Sequence, residues 1–279
     1  MSVMTMKTKK RIRKSFFYIG ITLLTLLWLV PLMFLLFTSL KTNKGFYTQN
    51  VFAFPEVIQW SNFSKAFGTL DQYIINDLII CAVKVPVGIL FSLLLAFALT
   101  RLKIKHGTAL FCFFLIGMMI PHQVALMPLN IMLNQFGLRN TYVGLIIVYI
   151  GFGIPFATLV LRGFMSGIPY EIDESARIDG VNNWQLLFHV IAPICLPAIS
   201  TLVILDFLST WNEYIIGSVL VTKDKMRTIS AGLARFTSET GTDYPRMCAG
   251  VLICMIPTLV VYLLFQRYFV EGVSGAVKG

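Results

Sequence analysis

Six stretches of this sequence run for about twenty residues or more almost without charge, near 16–40, 76–99, 108–133, 141–161, 185–207 and 247–266. A helix rises about 1.5 Å per residue, so about 20 apolar residues carry it across a hydrocarbon core of about 30 Å. Charged residues make up 13% of the 279, against about 25% in soluble domains. Too little polar surface is left for water to cover, and bilayer is the natural solvent. The expected fold is an all-α integral membrane protein with six transmembrane helices. Pro121 and Pro128 fall in the third stretch, Pro193 and Pro197 in the fifth. Those two helices are expected to kink against neighbours that satisfy the freed carbonyls.

The net charge of +10 is not a stripe of the kind nucleic acid requires. Lys7, Lys9, Lys10, Arg11, Arg13 and Lys14 all precede the first apolar run, which is a signal of membrane orientation. Ser15 to Leu40 carries no charge and outruns the 7–15 apolar residues of a secretory signal core. With no small-residue cleavage site after it, it reads as a retained helix. Placing the N-terminus inside puts Arg101, Lys103, Lys105, Arg162, Arg177, Arg267 and Lys278 on the same side as that basic cluster. Fewer basic residues fall opposite, although the 209–246 loop holds five of them. Both termini are therefore expected in the cytoplasm. The organisation this implies is a basic tail over 1–15, a six-helix region over 16–266 and a cytoplasmic tail over 267–279. The longest outer connections are 41–75 and 208–246.

The inner connection after the fourth stretch is the most informative segment. In Ile168-Pro169-Tyr170-Glu171-Ile172-Asp173-Glu174-Ser175-Ala176-Arg177-Ile178-Asp179-Gly180, Pro169 suits a first helical position. Glu171, Asp173 and Glu174 place negative charge at the positive end of a helix dipole. Gly180 suits the left-handed residue past the helix end. Asn182 and Gln185 form a capping-box pair for a second helix. The prediction is a helix of about three turns, too short and polar to span, followed by a sharp turn. Physics alone reads this as an amphipathic surface hairpin, about 168–184, linking two spans.

Lys84 is the one lysine or arginine inside a span. Charge there is costly enough to suggest a functional site, either facing a cavity or pairing between helices. Snorkelling is the bland alternative, strained because Lys84 lies about 12 Å in from Asn76. Asp206 is the acidic residue to examine as its partner, or it lines a solute path. His122 reads as a satisfied buried histidine. The five cysteines lie in or beside apolar runs without Cys-x-x-Cys spacing and read as small apolar side chains. No phosphate-binding Gly-x-x-x-x-Gly-Lys-Ser/Thr loop, His-Glu-x-x-His or nucleophile triad is present, so neither ATP hydrolysis nor a cofactor is expected in this chain.

The run Glu174-Ser175-Ala176, three residues, Gly180, then Val190, one residue, Ala192-Pro193 resembles the EAA motif of ABC importer permeases in its spacing throughout. Ser175, Val190 and Ala192 replace the usual Ala, Ile and Leu. Further landmarks resemble the carbohydrate branch and its maltose-type G permease subunits. They are Ile168-Pro169-Tyr170-Glu171, Ile120-Pro121-His122-Gln123, Gly137-Leu138-Arg139-Asn140-Thr141-Tyr142, Trp211-Asn212-Glu213-Tyr214 and Gly275-Ala276-Val277-Lys278-Gly279. They lie in order from about residue 76 to the end.

The resemblance implies one permease of a heterodimer in the bacterial cytoplasmic membrane. It implies two separate ATPase subunits beneath, an extracellular or periplasmic sugar-binding protein outside, and a sugar or oligosaccharide as cargo. Glu171, Glu174, Ser175, Ala176, Arg177, Ile178, Asp179 and Gly180 would then form the coupling helix in a cleft of the ATPase, small Ser175 and Ala176 allowing close backbone approach. The final five residues would lie extended against the ATPase. Trp211, Asn212 and Glu213 would begin an outer loop folded toward the solute path, with membrane anchoring the ordinary alternative for the tryptophan. A permease for a polyamine, phosphate or glycerol phosphate is the nearest rival. A membrane-embedded enzyme and a channel are more distant ones, since neither explains the hairpin.

Overall fold

The computed structural model describes residues 3–102, 104–238 and 241–276, with side chains described between Ile12 and Arg267. Of the tail expected to lie extended, Gly275 and Ala276 instead continue the last helix, and Val277, Lys278 and Gly279 lie outside the described residues. The chain forms two compact parts, one running up to Gly68 with Phe236–Ile253, the other Thr69–Arg235 with the chain from Cys254 onward.

In the first part, α1 (Val3–Ser39) carries the first apolar stretch and continues back through the basic residues expected as a tail. From Ile12 to Met33 it is exposed within the chain, including Phe16 at 73% and Trp28 at 74%, whereas Thr38 and Ser39 at its end are buried. The helix closes where Asn62 donates to the Ser39 and Lys41 carbonyls. Buried Lys41 donates to the Asn50 and Val51 carbonyls. Short α2 (Asn43–Thr48), capped by Thr42, sets Phe46 against Tyr244 at 4.7 Å. A two-residue hairpin, β1 (Thr237–Ser238) with β2 (Gly241–Thr242), precedes α13 (Tyr244–Ala276).

The second part holds most of α3 (Ser61–Arg101), then α4 (Gly107–Met118), α5 (His122–Gln135) and α6 (Tyr142–Ser166). After them come α7 (Tyr170–Ile178), α8 (Asn183–Gln185), a π-helical turn at Leu186–Ile191, α9 (Ala192–Ile194) and α10 (Leu196–Trp211). Finally α11 (Ile215–Leu220) and α12 (Ile229–Leu233) lie in the chain between α10 and α13. α11 packs against α5, and both α4 and α10 pack against α6. Ile80, Leu133, Leu145, Val148, Tyr149, Ile216 and Leu220 share one buried cluster.

Among the described residues, four helices are long and apolar enough to span, namely Ile12–Ser39, Ser61–Arg101, Tyr142–Ser166 and Tyr244–Arg267. The third and fifth expected spans are broken pairs, bent by 97° between α4 and α5 and by 76° between α9 and α10. The first break falls at Pro121, whose ring disfavours helical geometry in the preceding residue. The second follows Pro193, which has no N–H for the His189 carbonyl and crowds it. The π-turn around His189 is the local consequence.

Side-chain contacts show that each broken pair still leads from one end of the helices to the other. At one end Tyr170 donates to the Thr100 carbonyl and Arg101 to that of Ile168. At the other, Asn140 accepts from the backbone of Thr222 and Lys223, and Tyr142 donates to Asn76. α4–α5 runs from the first end to the second, and α8–α10 does the same, giving six crossings if each pair is one span.

Candidate functional site

The hairpin forms as its sequence requires, with one shift. Pro169 is the N-cap of α7, not its first helical residue. Extended backbone at that position (ψ 139°) suits proline equally well. Gly180 sits at φ +82°, a conformation costing residues with a Cβ about 1–2 kcal/mol. Its N–H bonds the Arg177 carbonyl and that of Val181 bonds Ala176, the paired closure of a Schellman motif. Asn182 and Gln185 complete the reciprocal capping box, each bond 3.0 Å.

Two faces of α7 differ. Asp173 and Ala176 are buried within the chain, so Ala176 packs inward and is not presented to a partner. Glu171, Glu174, Ser175, Arg177, Ile178, Asp179 and Gly180 are exposed, Ile178 at 86%. Arg177 donates to Asn183 across the turn. Beside them Trp184, 65% exposed, stacks parallel to Phe188 with ring centres 6.1 Å apart. Sequence reasoning passed over Trp184, although an exposed tryptophan one residue past a helix cap is a legible signal.

Arg101, which the sequence reading used only for orientation, anchors α7 to α3. Its side chain is 0% exposed and meets Asp173 at 2.9 Å. It also donates to the Ile168 carbonyl at 2.8 Å, and its guanidinium lies 4.3 Å from the centre of the Tyr170 ring. Burial raises the Asp173 carboxyl above the ordinary carboxylate range, against the pull of Arg101 and Arg177. A buried, bidentate-capable guanidinium is the group that can hold such a contact rigidly.

Within the spans, Lys84 and Asp206 form an ion pair between α3 and α10, their side chains 3% and 15% exposed. Lys84 does not snorkel. Gly153 of α6 faces the pair, where an added Cβ would come within 3.2 Å of the Lys84 Nζ and 3.4 Å of Asp206. Glycine there lets α6 pass close to both charges.

The Trp211–Glu213 segment is placed differently from its expected role beside a solute path. Trp211 is 2% exposed, stacks on Phe207 and donates its indole N–H to the Cys254 carbonyl at 3.1 Å. It offers a solute neither face nor donor. Asn212 is exposed but bonds back to Leu208. Glu213 accepts from the Ile216 and Gly217 N–H groups and from the Tyr149 hydroxyl at 2.8 Å, capping α11.

Two residues missed in the sequence complete this outer lock. Buried Asn76 donates to the Lys225 and Arg227 carbonyls and accepts from Tyr142 and Gln72. Asp77 accepts from the Ile229 N–H at 2.8 Å, capping α12 from a distant helix. The segment from α11 to α12 is thereby fixed to α3.

His122 is exposed, which corrects the expectation of a buried histidine. It opens α5 just after the bend, with its ring 4.3 Å from Phe152, and lines an apolar cavity of about 350 Å³ with Met118, Leu129, Ile147 and Pro155.

Membrane-length helices that present a short, twice-capped helical hairpin at one end define a permease-type membrane subunit. The chain belongs to the family of binding-protein-dependent transport system inner membrane components, which it matches over residues 88–275. It is 31% identical over 268 residues to the putative ABC transporter permease protein ORF2 of a Caldicellulosiruptor species, covering 95% of this chain and 98% of that one. It is 33% identical over 254 residues to the melibiose/raffinose/stachyose import permease protein MelC of Bacillus subtilis, covering 90% and 91%. The multiple sugar-binding transport system permease protein MsmG of Streptococcus mutans is 29% identical, covering 98% and 100%. A chain from the crystal structure of a bacterial ABC transporter that imports the acidic polysaccharide alginate shares the fold, with a TM-score of 0.79 at 21% identity over 94% and 98%. The chain is thus a multi-pass inner-membrane transport subunit, not an enzyme.

Proposed function

We propose that this chain is one of two permease halves in an ATP-driven importer of a sugar or oligosaccharide. In that reading it pairs with a homologous permease, two ATPase subunits and an external sugar-binding protein. The observation that carries the coupling role is the exposed face of α7, held by the Gly180 closure at its C-terminal end, the capping box of α8 beyond the turn and Arg101 at its base. Relatives named for sugar uptake support the cargo class. Both termini lie in the cytoplasm, with residues 1–15 and 267–279 as inner tails and 208–246 outside. Cysteine labelling at positions 45, 104, 139, 175, 225 and 275 should then alternate out, in, out, in, out, in. Inner accessibility of position 225 would sink this topology.

Mechanically, closure of the ATPase pair pushes on Glu171, Glu174, Ser175, Arg177, Ile178 and Asp179. The force passes through Asp173 and Arg101 into α3, and through Gly180 and the π-turn into α10. Those two helices carry Lys84 and Asp206, whose pair sits where α3, α6 and α10 converge and is the candidate for a contact that changes along the solute path. The outer lock around Asn76, Asp77 and Glu213 positions the segment after Trp211 without itself touching solute. Gly275, Ala276, Val277, Lys278 and Gly279 would contribute a further ATPase contact.

The test is Gly180→Val together with Glu174→Lys. Valine strains the left-handed turn by about 1–2 kcal/mol, and lysine reverses a charge on the exposed face. Neither residue lies in a span, so membrane abundance and binding-protein docking should stay at wild-type levels. Transport and stimulated ATPase activity should each fall about tenfold, the effect of about 1.4 kcal/mol on the coupled assembly. Wild-type coupling in both variants would remove α7 from this role.

A further inference from the structure

We propose that a cavity of about 380 Å³ at the adjoining ends of α3, α4, α6 and α7 binds a phosphate-bearing anion, the headgroup phosphate of an anionic phospholipid being the source its surroundings fit. Arg101, Arg162 and His106 line it with Thr100, Thr108 and Tyr170, and no carboxylate among the described residues does. Arg101 is committed to Asp173 and Ile168 through Nε and Nη2. Its buried Nη1 has no hydrogen-bond partner among the described residues.

Arg162 lies with its guanidinium 3.9 Å from the Phe111 ring centre and has no ion pair among the described residues. One permanent positive charge in this cavity therefore has no acidic partner. A half-buried guanidinium of this kind is suited to the planar, multi-donor recognition of phosphate oxygens.

The start of α4 adds to the same field. His106 is its N-cap, at φ +64°, without a side-chain capping bond, and no acidic residue occupies the first turn. The helix dipole there favours an anion. The lipid source follows from what continues outward from the cavity. Ile104 is 42% exposed, and Leu110, Phe113 and Ile116 of α4 are 39%, 70% and 61% exposed. They form an apolar flank on which acyl chains can lie while the phosphate enters at the end of the spans. Because Arg101 and Tyr170 belong both to this cavity and to the base of α7, an occupied site would brace the hairpin against α3. The proposed coupling role gives that bracing its meaning, but binding itself can be read without any transport measurement.

The experiment is native mass spectrometry of the complete importer in detergent, titrated with phosphatidylglycerol, phosphatidylcholine or inorganic phosphate. Wild type is compared with Arg162→Gln and Arg162→Lys. Phosphatidylglycerol should bind in preference to phosphatidylcholine. Arg162→Gln should weaken that binding roughly fivefold, the effect of one basic residue at an anionic surface, and Arg162→Lys should retain most of it. Phosphatidylcholine binding should be equal in all three, which excludes misfolding as the cause. If inorganic phosphate binds with the same dependence on Arg162 and phosphatidylglycerol shows no preference, the phosphate site stands and its source is soluble. Equal phosphatidylglycerol binding in wild type and Arg162→Gln, with no Arg162-dependent phosphate binding, overturns the proposal.

Discussion

Lys84→Met is expected to lower the stability of the assembled protein by roughly 3 kcal/mol, because Asp206 is left as an uncompensated charge inside a span. Lys84 is 3% exposed and faces Asp206, 15% exposed, across α3 and α10, so the ammonium has no route to water by a small side-chain rotation. Asp206→Leu should do similar harm by stranding the ammonium. Lys84→Met with Asp206→Leu removes both charges and fills comparable volume. The double variant should therefore recover most of the lost stability, since apolar replacement of a buried pair is often neutral or better. Thermal unfolding of the purified complex in detergent, for all four forms, gives the coupling energy directly. A double variant as unstable as the worse single one would sink the pairing. Transport separates the roles further. Recovered stability without recovered transport places the pair on the solute path, and recovery of both makes it an interhelical staple.

Arg101→Met should be comparably damaging, but through the hairpin. The substitution strands the Asp173 carboxylate, removes the donor to Ile168 and takes away the cation against Tyr170. Breaking such a buried pair costs about 3–5 kcal/mol, and the base of α7 loses its attachment to α3. Stimulated ATPase activity and transport should fall at least tenfold, which needs only about 1.4 kcal/mol. Arg101→Lys keeps the charge without the fork and should lie between. Asp173→Asn keeps an acceptor for the guanidinium and should be the mildest of the three. Full coupling in Arg101→Met would show that force reaches the spans through Gly180 and α10 alone.

Much of the hairpin was legible because its signals are local. Gly180, Asn182 and Gln185 act on backbone groups within a few residues of themselves, and the caps formed where the spacing predicts. Lys84 with Asp206 was also legible as a candidate pair, since charge in a span needs a partner and few acids are available. The third and fifth spans were expected to kink at their prolines, and the breaks fall there, but bends of 97° and 76° exceed what a kinked spanning helix implies. Length and hydropathy cannot register that angle, which depends on how α4 and α10 pack against α6. The first apolar stretch, by contrast, continues as helix back to Val3, because nothing in the basic segment breaks a helix.

By itself the sequence determined the membrane solvent, the helical class and the caps that close α7 and open α8. Apolar length and short-range hydrogen bonding are properties of adjacent residues. Only the tertiary structure decided the roles of Arg101, Asp173, Asn76, Asp77 and Trp211. Asn76 and Asp77 bond to residues roughly 150 positions away, and Arg101 meets partners 67 and more positions along the chain. Trp211 changes from a candidate surface aromatic to a core residue because Phe207 and the Cys254 carbonyl close over it. A polar side chain in an apolar medium must find a partner, but its own neighbourhood in the sequence does not say which. That choice is made when distant helices come together.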